Sequence, residues 1–538
     1  MPDPLIPELL ARAIALHRRG SLSEAEPLYR RVLAGKAQEF DALHMLGVIA
    51  LQQGRNAEAL ELIRQALALR PNSAWAQSNL GLALRALKRG AEAVACFERA
   101  LALNCRDPGV LNNLSSTLFE LQRYGDALRA CERALAIAPN SAEAFNNRGN
   151  ALQESGRLEE ALASYDRSLA LKRDFAEAWH NRGGALQAHN RHREAIVSYE
   201  RALALRPDYA DAHWNESLAR LCLGDFETGL AKFEWRWRTS DAAPRRELPQ
   251  PLWLGEQALN GKTILLHAEQ GIGDCLQFVR YASLVAARGA TVVLAVHREL
   301  KTLLEGLAPA IFAEGEMLPA CDLRCPLASL PLAFATTLAT IPADVPYLHP
   351  DAARLARWNA RLARCGSLRV GLAWAGNPAH KNDRRRSIPF VRLAPMLAVG
   401  GVQYVSLQKE LREGDAKALR STPGVLDLAA ELDDFADTAA VVASLDLIIT
   451  VDTALAHLAG AMRKPVWILL PFSPDWRWFL GREDSPWYPT ARLFRQPQID
   501  DWASPIKRVA AELACAAVSG QAGSAALPQA SGRCPAGG

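Results

Sequence analysis

Ala74-Trp75-Ala76-Gln77-Ser78-Asn79-Leu80-Gly81 is the stretch that decides how the first 240 residues fold, because its pattern returns every 34 residues. It reappears as Ala142-Glu143-Ala144-Phe145-Asn146-Asn147-Arg148-Gly149 and again as Ala176-Glu177-Ala178-Trp179-His180-Asn181-Arg182-Gly183. An asparagine keeps its place at Asn79, Asn113, Asn147, Asn181 and Asn215. Two positions later a small residue follows each time: Gly81, Ser115, Gly149, Gly183 and Ser217. Alanines recur at Ala59, Ala93, Ala127, Ala161 and Ala195, and at Ala66, Ala100, Ala134 and Ala202, while Pro71, Pro139 and Pro207 close three blocks. Small residues let two helices cross closely, and a proline ends the second helix. Seven such helix pairs fit between about residue 6 and residue 239, with the outermost two degenerate, as the ends of a stacked array usually are.

Period and pattern together resemble the tetratricopeptide repeat, and the expected fold of residues 1–240 is an α-solenoid. At roughly 100° per residue, Asn79 lies about 140° from the centre of the stripe formed by Leu80, Gly81 and Leu84. It therefore points toward the groove lined by the first helices. A column of amides at Asn79, Asn113, Asn147, Asn181 and Asn215 offers donors and acceptors at a regular rise, which suits the backbone of an acceptor protein. A similar ladder occurs in the repeats of the O-linked N-acetylglucosamine transferases. The alternative is a hydrogen-bond ladder between repeats that only stiffens the solenoid.

A chain of 538 residues is too long for one core. With 49% hydrophobic and 22% charged residues, it has the make-up of a soluble globular protein. A net charge of +4, without basic runs interleaved with aromatics, argues against a nucleic-acid partner. No uninterrupted apolar run is long enough for a membrane span. Residues 1–20 lack a signal-peptide core, so a cytoplasmic location is expected. The ten cysteines are scattered. Cys321 and Cys325 have no second pair to complete a zinc site, so reduced thiols and no metal are expected.

The period fades near Trp235-Arg236-Trp237-Arg238, and a polar, proline-rich linker occupies 241–261. From Lys262 onward strands alternate with helices, the signature of parallel sheets. Strands are expected at 263–267, 291–296, 370–374, 402–407, 447–451, 466–470 and 492–495, with helices at 274–288, 352–364, 436–444 and 454–462. The expected outcome is two Rossmann-like halves, 262–365 and 366–515, with a cleft between them and a disordered Gly/Ala/Ser/Pro-rich tail at 516–538.

Three turns carry the polar residues that such a cleft would use. Gln270-Gly271-Ile272-Gly273-Asp274 follows the first strand and opens a helix, where a backbone can approach an anionic ligand. Asp274 either takes a proton from an acceptor hydroxyl or merely caps that helix. The second turn runs from Trp374 through Asn377, Lys381, Arg384 and Arg386 to Ser387. Its cations can neutralise a diphosphate without a metal, and the alternative is a charged surface loop. The third runs from Asp452-Thr453 into a helix bearing His457, a phosphate site by its free amides or, alternatively, a cap with a packed histidine.

In this order the three turns resemble those of the bacterial heptosyltransferases, glycosyltransferase family 9. The resemblance spans roughly 262–513 and implies a GT-B module that performs inverting, metal-independent transfer with no cofactor. It makes Asp274 the catalytic base and places Gly271, Gly273, Trp374, Asn377, Lys381, Arg384, Arg386, Ser387, Asp452, Thr453 and His457 on the nucleotide-sugar donor. Gln408, in Leu407-Gln408-Lys409-Glu410, is expected at the ribose or base. Ala454 stands where that family usually has glycine, and the first half, at about 100 residues, is shorter than usual. Proteins with this pairing of modules resemble bacterial protein glycosyltransferases, including those acting on flagellin. The alternatives are a non-catalytic repeat scaffold with a degenerate module, and transfer to a lipid or glycan.

Overall fold

The computed structural model describes residues 5–242, 248–362, 368–380 and 382–520. Helix pairs follow one another from Ile6–Arg18 to Phe226–Phe233. In each of the first six pairs a 13-residue helix is followed by a 14-residue one. The turn inside each pair has a residue at positive φ at the same phase: Gly20, Gly54, Lys88, Gln122, Gly156, Asn190 and Gly224. A left-handed residue just past a helix end satisfies the last carbonyls and reverses the chain.

The small-residue column is explained by what faces it sixteen positions on. A Cβ on Gly81 would stand 2.7 Å from the Phe97 ring, and one on Gly149 or Gly183 would stand 2.5 Å from Tyr165 or Tyr199. Where the first helix carries Ser115 instead, the second carries Cys131, with the two side chains 2.8 Å apart. Volume is thus conserved across the crossing, as close packing demands.

By packing, the chain divides into 1–188 with 197–207, and 189–196 with 208 onward. The seventh helix pair therefore packs with the second unit. Its apolar face, Leu221, Phe226, Leu230 and Phe233, shares a core with Trp253, Trp476 and Trp487. The Phe226 ring lies 6.2 Å from Trp476 and 6.3 Å from Trp487.

The second unit holds two parallel sheets. Strands β1 (Thr263–His267), β2 (Thr291–Val296), β3 (Ala310–Ala313) and β4 (Leu323–Pro326) are ordered β3-β2-β1-β4. The other sheet has β5 (Leu368–Ala373), β6 (Val402–Ser406), β7 (Val425–Asp427), β8 (Leu447–Val451), β9 (Val466–Leu470) and β10 (Ala491–Arg495), ordered β10-β9-β8-β5-β6-β7. The first sheet buries its helix-facing residues in the core that holds Trp253, and the second has a further core around Val370, Trp374 and Phe494.

Several local expectations change. Strands β3, β4 and β7 were not legible. The helix expected at 274–288 is two helices, Ile272–Phe278 and Tyr281–Ala287; at the break Arg280 Nε donates to the Gln277 carbonyl. Of the helix expected at 352–364 the described residues hold Ala352–Leu362, tied to the second half by Arg354–Asp434 at 2.8 Å and Trp358–Asp437 at 3.3 Å, and 363–364 lie outside them. The last helix runs Ala503–Gly520, so the expected tail cannot begin at 516; residues 521–538 lie outside the described ones.

Candidate functional site

Each sheet reverses its strand order once, between β1 and β4 in the first and between β5 and β8 in the second. Loops leaving the carboxyl ends of such strands form the crevice where α/β proteins bind ligands. The turn at 268–274 follows β1 and Leu327–Ser329 follows β4, while the loops at 374–387 and 452–453 follow β5 and β8. All three turns singled out in the sequence therefore lie at switch points.

The two halves touch where these loops begin their helices. A Cβ on Gly273 would come within 2.9 Å of His457 Cδ2 and 3.5 Å of Ala454 Cα. Beside this contact, Asp274 Oδ2 accepts from Gly271 N at 3.0 Å, and Oδ1 is ion-paired with Arg477 of the second half. Arg477 also donates to Gln277 at 2.6 Å and Asp475 at 2.9 Å. Arg386 reaches across from its loop to the Asp452 carbonyl at 3.1 Å. Burial, and then the neighbouring Asp475 charge, push the Asp452 carboxyl up to about 6.

His457 is buried, stacked 5.5 Å from Trp478 and bonded through Nδ1 to the Tyr488 hydroxyl at 2.9 Å. Burial, helped by the cations Arg477, Arg280 and Arg386, drives its pKa well below the usual imidazole range. It is neutral near pH 7, so it can offer the site one hydrogen bond but no charge. Thr453 precedes the Ala454–Ala461 helix without capping it, since its hydroxyl pairs with Thr450 at 3.1 Å.

Comparison with known proteins matches several segments of the chain to family models. Residues 10–74, 44–108, 107–174 and 141–208 match tetratricopeptide-repeat models. Residues 404–471, from β6 through β9, match the model of glycosyltransferase family 9 (heptosyltransferase). The chain joins tetratricopeptide repeats to a glycosyltransferase family 9 segment. It is 32% identical over 322 residues to Protein FlbA of Caulobacter vibrioides, covering 54% of this chain and 53% of that protein. The chain thus spans about half the length of that relative. Among solved structures, it is similar to YrrB, a repeat protein described as having an unusual peptide-binding site (22% identity, 34% of this chain and 95% of that one, TM-score 0.29). It is also similar to Pseudomonas aeruginosa PilF (23% identity, 38% and 93%, TM-score 0.34). Among the described residues, no helix is long and apolar enough to cross a membrane.

The family 9 match contains Gln408, Asp452, Thr453 and His457, but these residues do not share one role. Gln408 is buried and accepts from Trp374 N and Ala375 N at 3.0 and 2.9 Å while donating to Ala375 O at 3.0 Å. Its amide clamps the start of the 374–387 loop. Trp374 is likewise buried, with Nε1 on Asp415 at 3.1 Å. The Ser387 hydroxyl donates to Asp383 at 2.7 Å and accepts from Gly376 N at 3.0 Å. The polar atoms of Trp374, Ser387 and Gln408 thus have partners inside the protein and brace this loop. Asn377 and Arg384 are exposed on the loop, as is Gly271 on the turn after β1, and Lys381 lies outside the described residues.

The repeat asparagines are half-buried, and three of them bond to the preceding repeat. Asn79 meets His44 at 2.9 Å, Asn147 donates to Ser116 at 3.3 Å, and Asn181 donates to Asn146 at 2.9 Å. Hydrogen bonds between successive repeats are thus made at these positions.

Sequence reasoning missed Arg477, Asp475 and Glu269. The first two sit in Asp475-Trp476-Arg477-Trp478, beyond β9, where an arginine among tryptophans was the available signal. Glu269 precedes the glycine turn by two residues and was passed over for Asp274.

Proposed function

We propose that this protein transfers a glycosyl group from a nucleotide sugar to an acceptor protein bound by its repeats, with inversion and without a metal. The observation that carries the reading is the meeting of the Gly271–Asp274 turn with the Ala454–Ala461 helix at Gly273 and His457, which sets a carboxylate beside an anion-favouring helix start. Asp274, oriented by Gly271 N–H and Arg477, takes the proton of the acceptor nucleophile. The nucleophile forms a bond to the anomeric carbon, and the bond from that carbon to the diphosphate oxygen breaks with its electron pair on the leaving group. Arg386, with Arg384 and Lys381 from the same loop and the first amides of the Ala454–Ala461 helix, meets the charge of the departing nucleoside diphosphate. The neutral His457 donates to a phosphate oxygen.

The test is intact mass spectrometry of proteins co-purifying with the wild type and with Asp274→Asn. A sugar-sized mass increment on a partner of the wild type, lost with Asp274→Asn, is the expected result. Identical partner masses in both samples would refute protein glycosylation by this site.

A further inference from the structure

The loop after β1 carries a second carboxylate that the proposed chemistry leaves unused. Glu269 lies five residues before Asp274, with only 7% of its side chain exposed. Both of its hydrogen bonds fall on one oxygen: Arg236 Nη2 donates to Oε1 at 3.1 Å and Ala328 N donates to Oε1 at 3.2 Å. Oε2 carries none. Glu269 is half-buried and Oε2 is not sealed in the interior, so it is an open acceptor at a switch point where a ligand's donor can sit.

What holds Glu269 comes from the end of the last helix pair. Arg236, with 6% of its side chain exposed, also donates to Glu234 at 2.6 Å and to Ser329 Oγ at 2.6 Å, and Ser329 closes the ring by donating to Glu234 at 2.7 Å. Glu234, Arg236, Ser329 and Glu269 thus form a closed polar cluster joining the turn Glu234–Trp237 to the loops after β1 and β4. Such a network fixes the Glu269 rotamer and aims its free oxygen.

We propose that Glu269 Oε2 accepts a hydrogen bond from the N–H or O–H of the acceptor side chain and holds that nucleophile for Asp274, with Arg236 as the positioning residue for Glu269. The inference rests on the glycosyl-transfer reading. The environment agrees with it: burial, opposed by Arg236 and reinforced by the Asp274 charge, pushes the Glu269 carboxyl up to about 7. In the ionised form Oε2 can only accept, and a donor placed on it favours that form.

The test uses the full chain with a panel of UDP-, GDP-, ADP- and CMP-sugars and synthetic peptides bearing serine, threonine or asparagine. If the wild type transfers to no peptide and to no co-purifying protein, the glycosyl-transfer reading falls, and this inference with it. With transfer established, Glu269→Gln should raise the peptide KM at least tenfold while the donor Kd, by calorimetry, stays within twofold. Arg236→Ala should do the same and Arg236→Lys should recover part of the loss, whereas Asp274→Asn should lower kcat with the peptide KM retained. Serine and threonine peptides responding alone would identify a hydroxyl as the bound group, and asparagine peptides an amide. Unchanged peptide KM in Glu269→Gln, or a loss confined to donor binding, overturns the proposal while leaving transfer intact. Should Glu269→Gln fold poorly by circular dichroism, Glu269→Asp withdraws Oε2 while keeping the charge, and the same KM criterion decides.

Discussion

Gly273 lies so close to His457 that a single methyl group would have to displace the imidazole. The ring has little freedom to yield, since Tyr488 holds Nδ1 and Trp478 stacks on its face. Overpacking of this kind costs about 1–3 kcal/mol. Gly273→Ala should lower stability by that amount in urea unfolding and weaken donor binding, because the two helix starts are pushed apart. A variant that bound donor as tightly as wild type would show that the contact has no part in the site.

Glu269 makes a prediction about pH. Its folded-state pKa is raised to about 7 by burial, above the ordinary glutamate range of the unfolded chain. The folded protein therefore binds this proton more tightly. Its contribution to stability is complete below the unfolded pKa and is lost as pH rises through about 7; a displacement of that size is worth at most about 3 kcal/mol. Glu269→Gln, permanently neutral, should therefore unfold at higher urea than wild type at pH 8, with the gap closing toward pH 4. A lower midpoint at pH 8 would mean that the Arg236 ion pair outweighs burial. Stabilisation combined with a raised peptide KM would be the mark of a residue kept for function.

The left-handed column gives a test in the repeats. Gly54 and Gly156 hold φ of 74° and 77° with open space around a built Cβ, so only backbone strain opposes a side chain. Lys88 and Gln122 carry that strain already, at 61° and 59°. Gly54→Ala and Gly156→Ala should each cost about 1 kcal/mol, and Gln122→Gly should gain up to about 1 kcal/mol, offset in part by unfolded-state entropy. Thermal unfolding of the three single variants checks the signs, and a destabilised Gln122→Gly would show that local side-chain contacts dominate.

How far the sequence could be read follows from which interactions are periodic. The 34-residue pattern exposed the helix pairs because packing at Gly81, Gly149 and Gly183 repeats the same crossing. The left-handed turns escaped because Lys88, Gln122 and Asn190 carry no glycine. In the α/β part, β1, β2, β8 and β9 were legible as apolar runs. By contrast, β4 runs Leu323-Arg324-Cys325-Pro326, and its arginine and proline hide a short strand. The site residues divide in the same way. Asp274 and His457 belong to turns with local patterns, whereas Glu269 and Arg477 gain their character from partners 33 and 203 residues distant, which no local pattern encodes. Trp374 and Ser387 lie in the loop after β5 and Gln408 in the segment after β6, yet whether a polar atom meets ligand or protein depends on tertiary partners.

The repeat asparagines offer a sharper separation of structure from binding than replacing all five together. Asn181 donates at 2.9 Å to Asn146, which is 7% exposed, so removing its amide strands a buried acceptor. That loss should cost about 1–2 kcal/mol. Asn113 is half-buried but has no side-chain partner among the described residues, so Asn113→Ala should leave stability within about 0.5 kcal/mol of wild type. A ladder that only stiffens the solenoid predicts that acceptor binding falls with Asn181→Ala, through loss of rigidity, and is untouched by Asn113→Ala. A ladder that also grips an acceptor backbone predicts weaker binding in both, with unfolding altered in Asn181→Ala alone. Urea midpoints and acceptor affinities of the two single variants, measured side by side, distinguish these outcomes. Full affinity in Asn113→Ala would confine the asparagines to holding the repeats together.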